Sequence, residues 1–195
     1  MPITPDAVSA AGQDAPAVPA EPLSVLHTFQ LTPAELAAVR ALLDEAFEGD
    51  FSDEDFEHGL GGMHALIHDP AGRLIAHGSV IMRRVLHGGR WFRVGYVEAL
   101  GVRADRQRQG LGGRLMAALE PIVARAYDFG ALSASAEGAG LYRSRGWRPW
   151  EGRIEGVGPE GIVRLADEEG STFVWGGIPA PEDALAFDWR DGDVL

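Results

Sequence analysis

The sequence predicts one α+β domain built on a mixed sheet with helices on both faces, and three observations carry that prediction. Strand-like and helix-like periods alternate along the chain, with hairpin signals first and a β–α–β–α run afterwards. A chain of 195 residues with 46% hydrophobic content can bury one sizeable core. Finally, a glycine-rich segment, Gln107-Arg108-Gln109-Gly110-Leu111-Gly112, joins an apolar strand to the start of a helix.

Residues 1–22, rich in Pro and Ala with no periodicity and no aromatic residue, read as a disordered tail, which leaves residues 23–195 as the domain. The tail lacks the basic start and apolar run of a secretory signal, and no later segment is apolar over enough residues to span a bilayer, so a soluble cytoplasmic protein is expected. Ser24 to Gln30 alternates as a strand. Thr32, Pro33 and Glu35 supply an N-cap, a first-turn proline and a first-turn acid, and Leu36, Val39, Leu43 and Phe47 keep helical spacing behind them. Met63 to Ile67, the Asp69-Pro70-Ala71-Gly72 turn and Leu74 to Arg84 form a hairpin, and a Gly88-Gly89 turn leads to a strand over Trp91 to Val102. The helix after the glycines places Leu111, Leu115, Leu119, Ile122, Val123 and Ala126 on one stripe, with Pro121 expected to kink or divide it. Ala131 to Ala136 is a short strand, a helix around Tyr142 follows, Phe173 to Ile178 adds a late strand, and the remainder reads as tail.

Charge and composition exclude several classes of function. A formal net charge of −12 argues against nucleic acids and anionic membranes, which need a basic footprint, and favours a cationic small molecule. The absence of cysteine rules out disulfides, thiolate metal sites and a covalent cysteine intermediate. His64 and His68 have metal-like spacing, but on a strand they stand ~13 Å apart at about 3.3 Å per residue, too far for one zinc ion, and they read as hydrogen-bonded sheet histidines.

Three features carry chemistry. Glycines at 110, 112 and 113 let backbone approach a ligand closely, and the helix behind them turns free N–H groups and its positive dipole end toward an anion such as a pyrophosphate. In the strand before them, Val94, Tyr96, Glu98, Leu100 and Val102 share one face by alternation, which sets a carboxylate in an apolar row. Either an arginine such as Arg83 or Arg93 pairs with Glu98, or Glu98 faces a polar cleft and works there. An amine of pKa ~10.4 is protonated at neutral pH and needs a base before it can attack an acyl group, and a cleft carboxylate supplies one. Tyr142 is by itself compatible with a packed core aromatic.

Gln107 to Gly112 fits the Q/R-x-x-G-x-G/A pattern of the GCN5-related N-acetyltransferase (GNAT) superfamily, and Leu141-Tyr142-Arg143-Ser144-Arg145-Gly146-Trp147 fits its L-Y-x-x-x-G-aromatic segment. GDFSDEDFEHGLGGMHALI, GYVEALGVRAD, ALSASA, LYRSRGWRPW and DWRDGDV resemble, more narrowly, the aminoglycoside 2′-N-acetyltransferases, over about residues 24 to 195. The chain departs from that pattern at Leu195, where an aromatic residue is usual, and at Glu168 and Glu169, where aspartates are. The resemblance implies the GNAT fold, acetyl-CoA as co-substrate, no metal, a homodimer, and direct transfer to a cationic aminosugar in a ternary complex. It places the backbone of Leu100, Gly101 and Val102 beside the pantetheine, and Gln107, Arg108, Gln109, Gly110, Leu111 and Gly112 around the pyrophosphate. Asp50, Asp55, Glu98, the Ala99 backbone, Ser133, Asp167, Glu168 and Asp193 form the implied acceptor site. Glu98 becomes the water-relayed base, and Tyr142 the acid that protonates the leaving thiolate. Another polyamine or a cell-wall precursor amine is the alternative acceptor. A non-catalytic module that binds acyl-CoA or sequesters a drug would have no use for the Glu98 and Tyr142 pair.

Overall fold

The computed structural model describes residues 21–178, 180, 183–192 and 194–195. Its strands are β1 (Leu23–His27), β2 (Met63–His68), β3 (Leu74–His87), β4 (Arg90–Val102), β5 (Phe129–Ser133), β6 (Arg148–Pro149), β7 (Ile154–Gly158), β8 (Gly161–Arg164), β9 (Thr172–Trp175) and β10 (Leu185–Asp188). Its helices are α1 (Pro33–Ala46), α2 (Asp53–His58), α3 (Leu111–Ala126) and α4 (Ala139–Ser144). The strands form one mixed sheet in the order β6-β9-β5-β4-β3-β10-β7-β8, with β2 joining β3 and β1 joining β2.

Local chemistry sets the helix starts. Thr32 caps α1 through a reciprocal pair with Glu35, whose carboxylate accepts from the Thr32 N–H at 2.7 Å. Ser52 and Asp55 repeat that device on α2. Val39, Leu42 and Leu43 of α1 pack with Leu66 and Leu74 on one face of the sheet. On the opposite face Leu111, Leu115, Met116, Leu119 and Val123 of α3 meet Val80, Val97 and Leu132, and α4 joins them through Ala139 and Tyr142. A further apolar cluster gathers Phe92, Val94 and Phe129 with Trp150, Ile154, Leu185 and Phe187, so the late strands close over the far half of the α1 face.

Several expectations are corrected. The stretch Ser24 to Gln30 leaves the sheet at His27 and turns through a short 3-10 helix at Thr28–Gln30, which a His27 and Gln30 cap closes. Pro121 does not divide α3, which runs unbroken from Leu111 to Ala126, and Met116 rather than the exposed Ala126 completes its buried stripe. The stretch beyond Ile178 is not all tail, because β10 inserts between β3 and β7. Residues 1–20 of the expected tail lie outside the described residues; Glu21 pairs with Arg114 at 2.7 Å, and the Pro22 carbonyl accepts from the His68 N–H at 3.1 Å.

The feature that builds the site lies in β4. Strands β4 and β5 run parallel and pair only from Val94 to Tyr96 against Phe129 to Ala131, after which they diverge. Beyond that point Ala99 takes a left-handed φ of 49°, and the register against β3 slips between His77 and Ser79, so Ala99 and Leu100 together face the single residue Gly78. This is a β-bulge, which re-aims the side chains that follow it. The expected row from Val94 to Val102 is therefore broken: Val94 and Tyr96 pack in the Trp150 cluster, whereas Leu100 and Val102 turn to the α3 side.

Candidate active site

Where β4 and β5 part, a cavity of about 230 Å³ opens. Its walls come from the segment before α2 (Phe47, Asp50, Phe51), from α2 (Asp55, His58), from the bulge (Tyr96 to Leu100), from the end of β5 (Ser133, Ser135), from Tyr142 on α4, and from Arg190 and Leu195. Three carboxylates, Asp50, Asp55 and Glu98, line it. Asp55 already accepts the Ser52 N–H through Oδ2, and Asp50 is exposed at the rim.

Glu98 does pair with an arginine, but with neither of those expected. Arg190 Nη1 stands 2.5 Å from Glu98 Oε1, and both side chains are largely buried, at 13% and 14% exposure. Arg83 instead donates to the Asp188 carboxylate at 2.6 Å and to the Val194 carbonyl at 2.8 Å, and it clasps the segment after β10 from beneath. Arg93 is exposed on the far half of β4. Burial pushes the Glu98 carboxyl above its ordinary value, and the Arg190 charge opposes that rise. A carboxylate of that kind accepts a proton more readily than an exposed one.

Tyr142, 7% exposed, reaches the cavity with its ring packed between Trp147 and Phe173. Burial raises its hydroxyl to about 12, so the group keeps its proton until a strong base faces it. Tyr96 has a buried hydroxyl with no hydrogen-bond partner among the described residues, and its ring lies under Arg83 and Arg190. His58 was not singled out from sequence. Its Nε2 donates to the Asp191 carbonyl at 2.8 Å, which ties α2 to the chain's last segment, and burial lowers its pKa.

The other expected acceptor residues divide. Ser133 lines the cavity and donates to Glu168 Oε2 at 2.8 Å, so Glu168 stands behind Ser133 rather than in the cavity wall. Asp167 is exposed on the neighbouring 3-10 turn and does not line the cavity. Asp193 lies outside the described residues.

At the other end of the divergence the glycine loop has the shape expected of an anion cradle. Gly110 caps α3 with a φ of 80° and no side-chain cap, and Arg108 precedes it at a φ of 61°. The first α3 amide with a helical acceptor is that of Arg114, bonded to the Gly110 carbonyl at 3.1 Å, which leaves those of Leu111, Gly112 and Gly113 without an intrahelical partner. These are the groups an anion takes at a helix N-terminus, so the residues present fit a pyrophosphate. Gly112 serves differently from the sequence expectation. A Cβ there would come within 3.0 Å of Leu141 on α4, so the glycine permits helix contact, whereas the space around Gly110 is open. Gln107 and Gln109 turn their amides back to the Val102 and Asp105 carbonyls and brace the loop from inside. Among the described residues no cluster of three or more His, Asp or Glu side chains could hold a metal ion, and no helix is long and apolar enough to cross a membrane.

A diverging β4 and β5 pair, an uncapped glycine helix start and a cleft carboxylate that shares its cavity with a buried tyrosine define an acetyl-CoA-dependent N-acetyltransferase. The family model for the acetyltransferase (GNAT) domain matches residues 28–150. The chain is 45% identical over 176 residues to the aminoglycoside 2′-N-acetyltransferase of Mycolicibacterium fortuitum, covering 87% of this chain and 90% of that protein. It belongs to the GNAT superfamily and, within it, to the aminoglycoside 2′-N-acetyltransferase family. Solved structures share the fold at low identity. The GNAT family N-acetyltransferase YhbS of Escherichia coli, in complex with CoA, superimposes with a TM-score of 0.58 at 18% identity, over 90% of this chain and 93% of that one. A GNAT family acetyltransferase of Brucella melitensis, in complex with acetyl-CoA, gives 0.51 at 16% identity over 83% and 98%.

Proposed function

We propose that the protein transfers the acetyl group of acetyl-CoA to the 2′-amine of an aminoglycoside and so confers resistance. The observation that carries this is Glu98, a buried carboxylate with a raised proton affinity, in a cavity shared with Tyr142, Asp50 and Asp55, in a chain 45% identical to a named 2′-N-acetyltransferase. Acetyl-CoA supplies the activated acyl group. The glycine loop and the backbone of Leu100, Gly101 and Val102 hold it, while Asp50, Asp55, Ser133 and the Ala99 backbone receive the polycation.

Glu98 takes a proton from the acceptor ammonium through a water molecule, and the freed amine attacks the thioester carbon. As the carbon–sulfur bond breaks, Tyr142 gives its hydroxyl proton to the departing thiolate and regains one from the attacking nitrogen as that becomes the neutral amide, while the proton on Glu98 passes to solvent. Burial keeps the phenol protonated at neutral pH, so it is present as a donor to the sulfur as negative charge develops there. Alignment of two substrates in one cleft can contribute ~7–11 kcal/mol, so no covalent enzyme intermediate is required. A homodimer located in the cytoplasm accompanies this reading, to be checked by sedimentation velocity and cell fractionation.

The test is incubation with acetyl-CoA and two aminoglycosides, tobramycin with a 2′-amine and kanamycin A with a 2′-hydroxyl. The expected result is thiol release and a single added acetyl group on the 2′ nitrogen of tobramycin, with kanamycin A bound but unreacted. Acetylation at another position, or equal turnover of kanamycin A, removes the 2′ assignment. Turnover of a different polyamine in place of tobramycin would move the acceptor class.

A further inference from the structure

Ala99 is a non-glycine residue with a left-handed φ of 49° in the middle of a central strand, directly after Glu98. Such a conformation persists only where its surroundings over-determine it. The bulge also takes the Ala99 carbonyl out of the ladder with β3, so a buried acceptor needs another donor.

That donor is His77 on β3. Its Nδ1 lies 3.0 Å from the Ala99 carbonyl oxygen, and the residue is 1% exposed. The ring is in turn oriented from behind. His77 Nε2 lies 2.9 Å from Nδ1 of the buried His64 on β2, and His64 Nε2 lies 2.8 Å from the Thr28 hydroxyl. The Gly61 N–H donates into that hydroxyl at 2.8 Å.

The direction of every bond follows from its last member. A carbonyl can only accept, so His77 donates from Nδ1 and its Nε2 is bare. That bare nitrogen accepts from His64 Nδ1–H, and if His64 is neutral its Nε2 is bare and accepts from Thr28 O–H. With both rings neutral, the chain requires Nδ1–H on each, the tautomer that free histidine favours less; the alternative is a cationic His64 with the Thr28 O–H turned to the Gly62 carbonyl at 3.2 Å. Burial agrees with the neutral state, lowering His64 to about 4 and His77 to about 3. On the other side of the bulge the Ser79 hydroxyl approaches the Glu98 carbonyl at 3.4 Å, so β3 holds the two successive carbonyls where the strand bends.

We infer that His77, oriented by His64 and Thr28, is a positioning residue for acetyl transfer: it fixes the Ala99 bulge and thereby aims Glu98 into the cleft and sets the backbone that faces the thioester. The inference rests on the acetyltransferase reading, but its first test does not. In the ligand-free protein with ¹⁵N-labelled histidine, long-range proton–nitrogen spectra should show His64 and His77 as neutral Nδ1–H tautomers throughout pH 5.5 to 8.5. An Nε2–H tautomer at His77 would overturn it, whatever the enzyme acetylates.

The second test is kinetic. His77→Phe keeps a ring of similar size and removes the donor. The expected result is an acetyl-CoA Kd weakened no more than a few-fold, because the glycine loop still holds the pyrophosphate, with kcat on tobramycin reduced at least tenfold. His77→Asn restores an N–H near Nδ1 and should recover most of that loss, which a purely structural histidine would not require. Should His77→Phe fail to fold, Thr28→Val interrupts the chain at its surface end, and its expected signature is a few-fold lower kcat together with a mixed His64 tautomer. A folded His77→Phe or Thr28→Val with wild-type kcat and an unmoved bulge refutes the inference. A wild-type enzyme inert toward tobramycin refutes the proposed acceptor and leaves the tautomer test to decide this one.

Discussion

Replacing Arg190 with methionine tests the electrostatics of the cleft most directly. The substitution keeps an unbranched side chain against Tyr96 and leaves the Glu98 carboxylate without its 2.5 Å partner. Removing one member of a buried ion pair costs ~3–5 kcal/mol, and the slight exposure of both groups puts this pair at the lower end. About 3 kcal/mol lowers Tm by roughly 6–12 °C in a chain of this size. The loss must depend on pH with a defined sign. Burial already holds the Glu98 pKa above the ordinary 4.5, and Arg190 is the largest influence opposing it, so the variant's pKa lies higher still. A carboxyl with a raised folded pKa stabilises the fold while it is protonated, and that contribution is lost as pH rises through the folded value. The deficit should therefore be largest at pH 8 and shrink toward pH 5. The lost bond from Arg190 Nε to the Val194 carbonyl, 3.1 Å in length, adds about 1 kcal/mol that does not vary with pH. The assay pairs thermal unfolding at the two pH values with the pH profile of kcat/KM for tobramycin, whose acidic limb should move to higher pH as the base becomes harder to deprotonate. Glu98→Gln added to the same variant should abolish the pH-dependent part. An equal Tm loss at pH 5 and pH 8, with an unmoved acidic limb, would show that Glu98 carries neither the charge nor the proton assigned to it.

Tyr142→Phe removes one hydroxyl from a buried ring and should lower kcat by on the order of 10²-fold while leaving Tm and acetyl-CoA affinity nearly unchanged; near-normal kcat between pH 6 and 9 would return Tyr142 to the core. Gly112→Val should weaken acetyl-CoA binding and lower the stabilisation that the ligand gives, because its side chain would collide with Leu141 and tilt the start of α3 away from α4. Gly112→Val combined with Leu141→Ala should regain part of that affinity, and a failure to do so in calorimetry would mean the glycine acts on the ligand directly. Tyr96→Phe deletes a buried hydroxyl with no partner among the described residues and should raise Tm by a few degrees, since an unmet polar group costs ~1–3 kcal/mol. A lower Tm would reveal that the hydroxyl is satisfied in solution.

Local chemistry made much of this molecule readable. The Thr32 and Glu35 cap, the Asp69 to Gly72 turn and the glycines at the start of α3 each involve residues within four positions of one another, and each occurs where the sequence places it. Distant pairings were not readable. The partner of Glu98 lies on the segment after β10, and nothing in the alternation of β4 distinguishes Arg190 from Arg83 or Arg93 as its mate. Alternation also assumes an unbroken strand, and Ala99 gives no warning of a bulge, because alanine is not a residue that marks left-handed positions. The same applies to β6, β7, β8 and β10, of two to five residues each, whose pairing depends on tertiary contact more than on propensity. The carboxylates beside α2 were found through family resemblance. Their arrangement around one cavity came only with the fold.

The insertion of β10 beside β3 has a consequence for the chain as it is being made. Arg83 and Asp188 are 105 residues apart, so at ribosomal speeds of ~5–20 residues per second the arginine waits about 5–20 s for its carboxylate. During that time β3 has its β4 neighbour on one side, but the half of its other edge that includes Val85 and Leu86 has no strand against it. Apolar strand edges in that condition recruit other chains. A cell making this protein quickly, or making a variant that weakens the Arg83 and Asp188 clasp, should accumulate insoluble material before it loses specific activity. Yield of soluble protein would then be limited by the order in which the strands emerge.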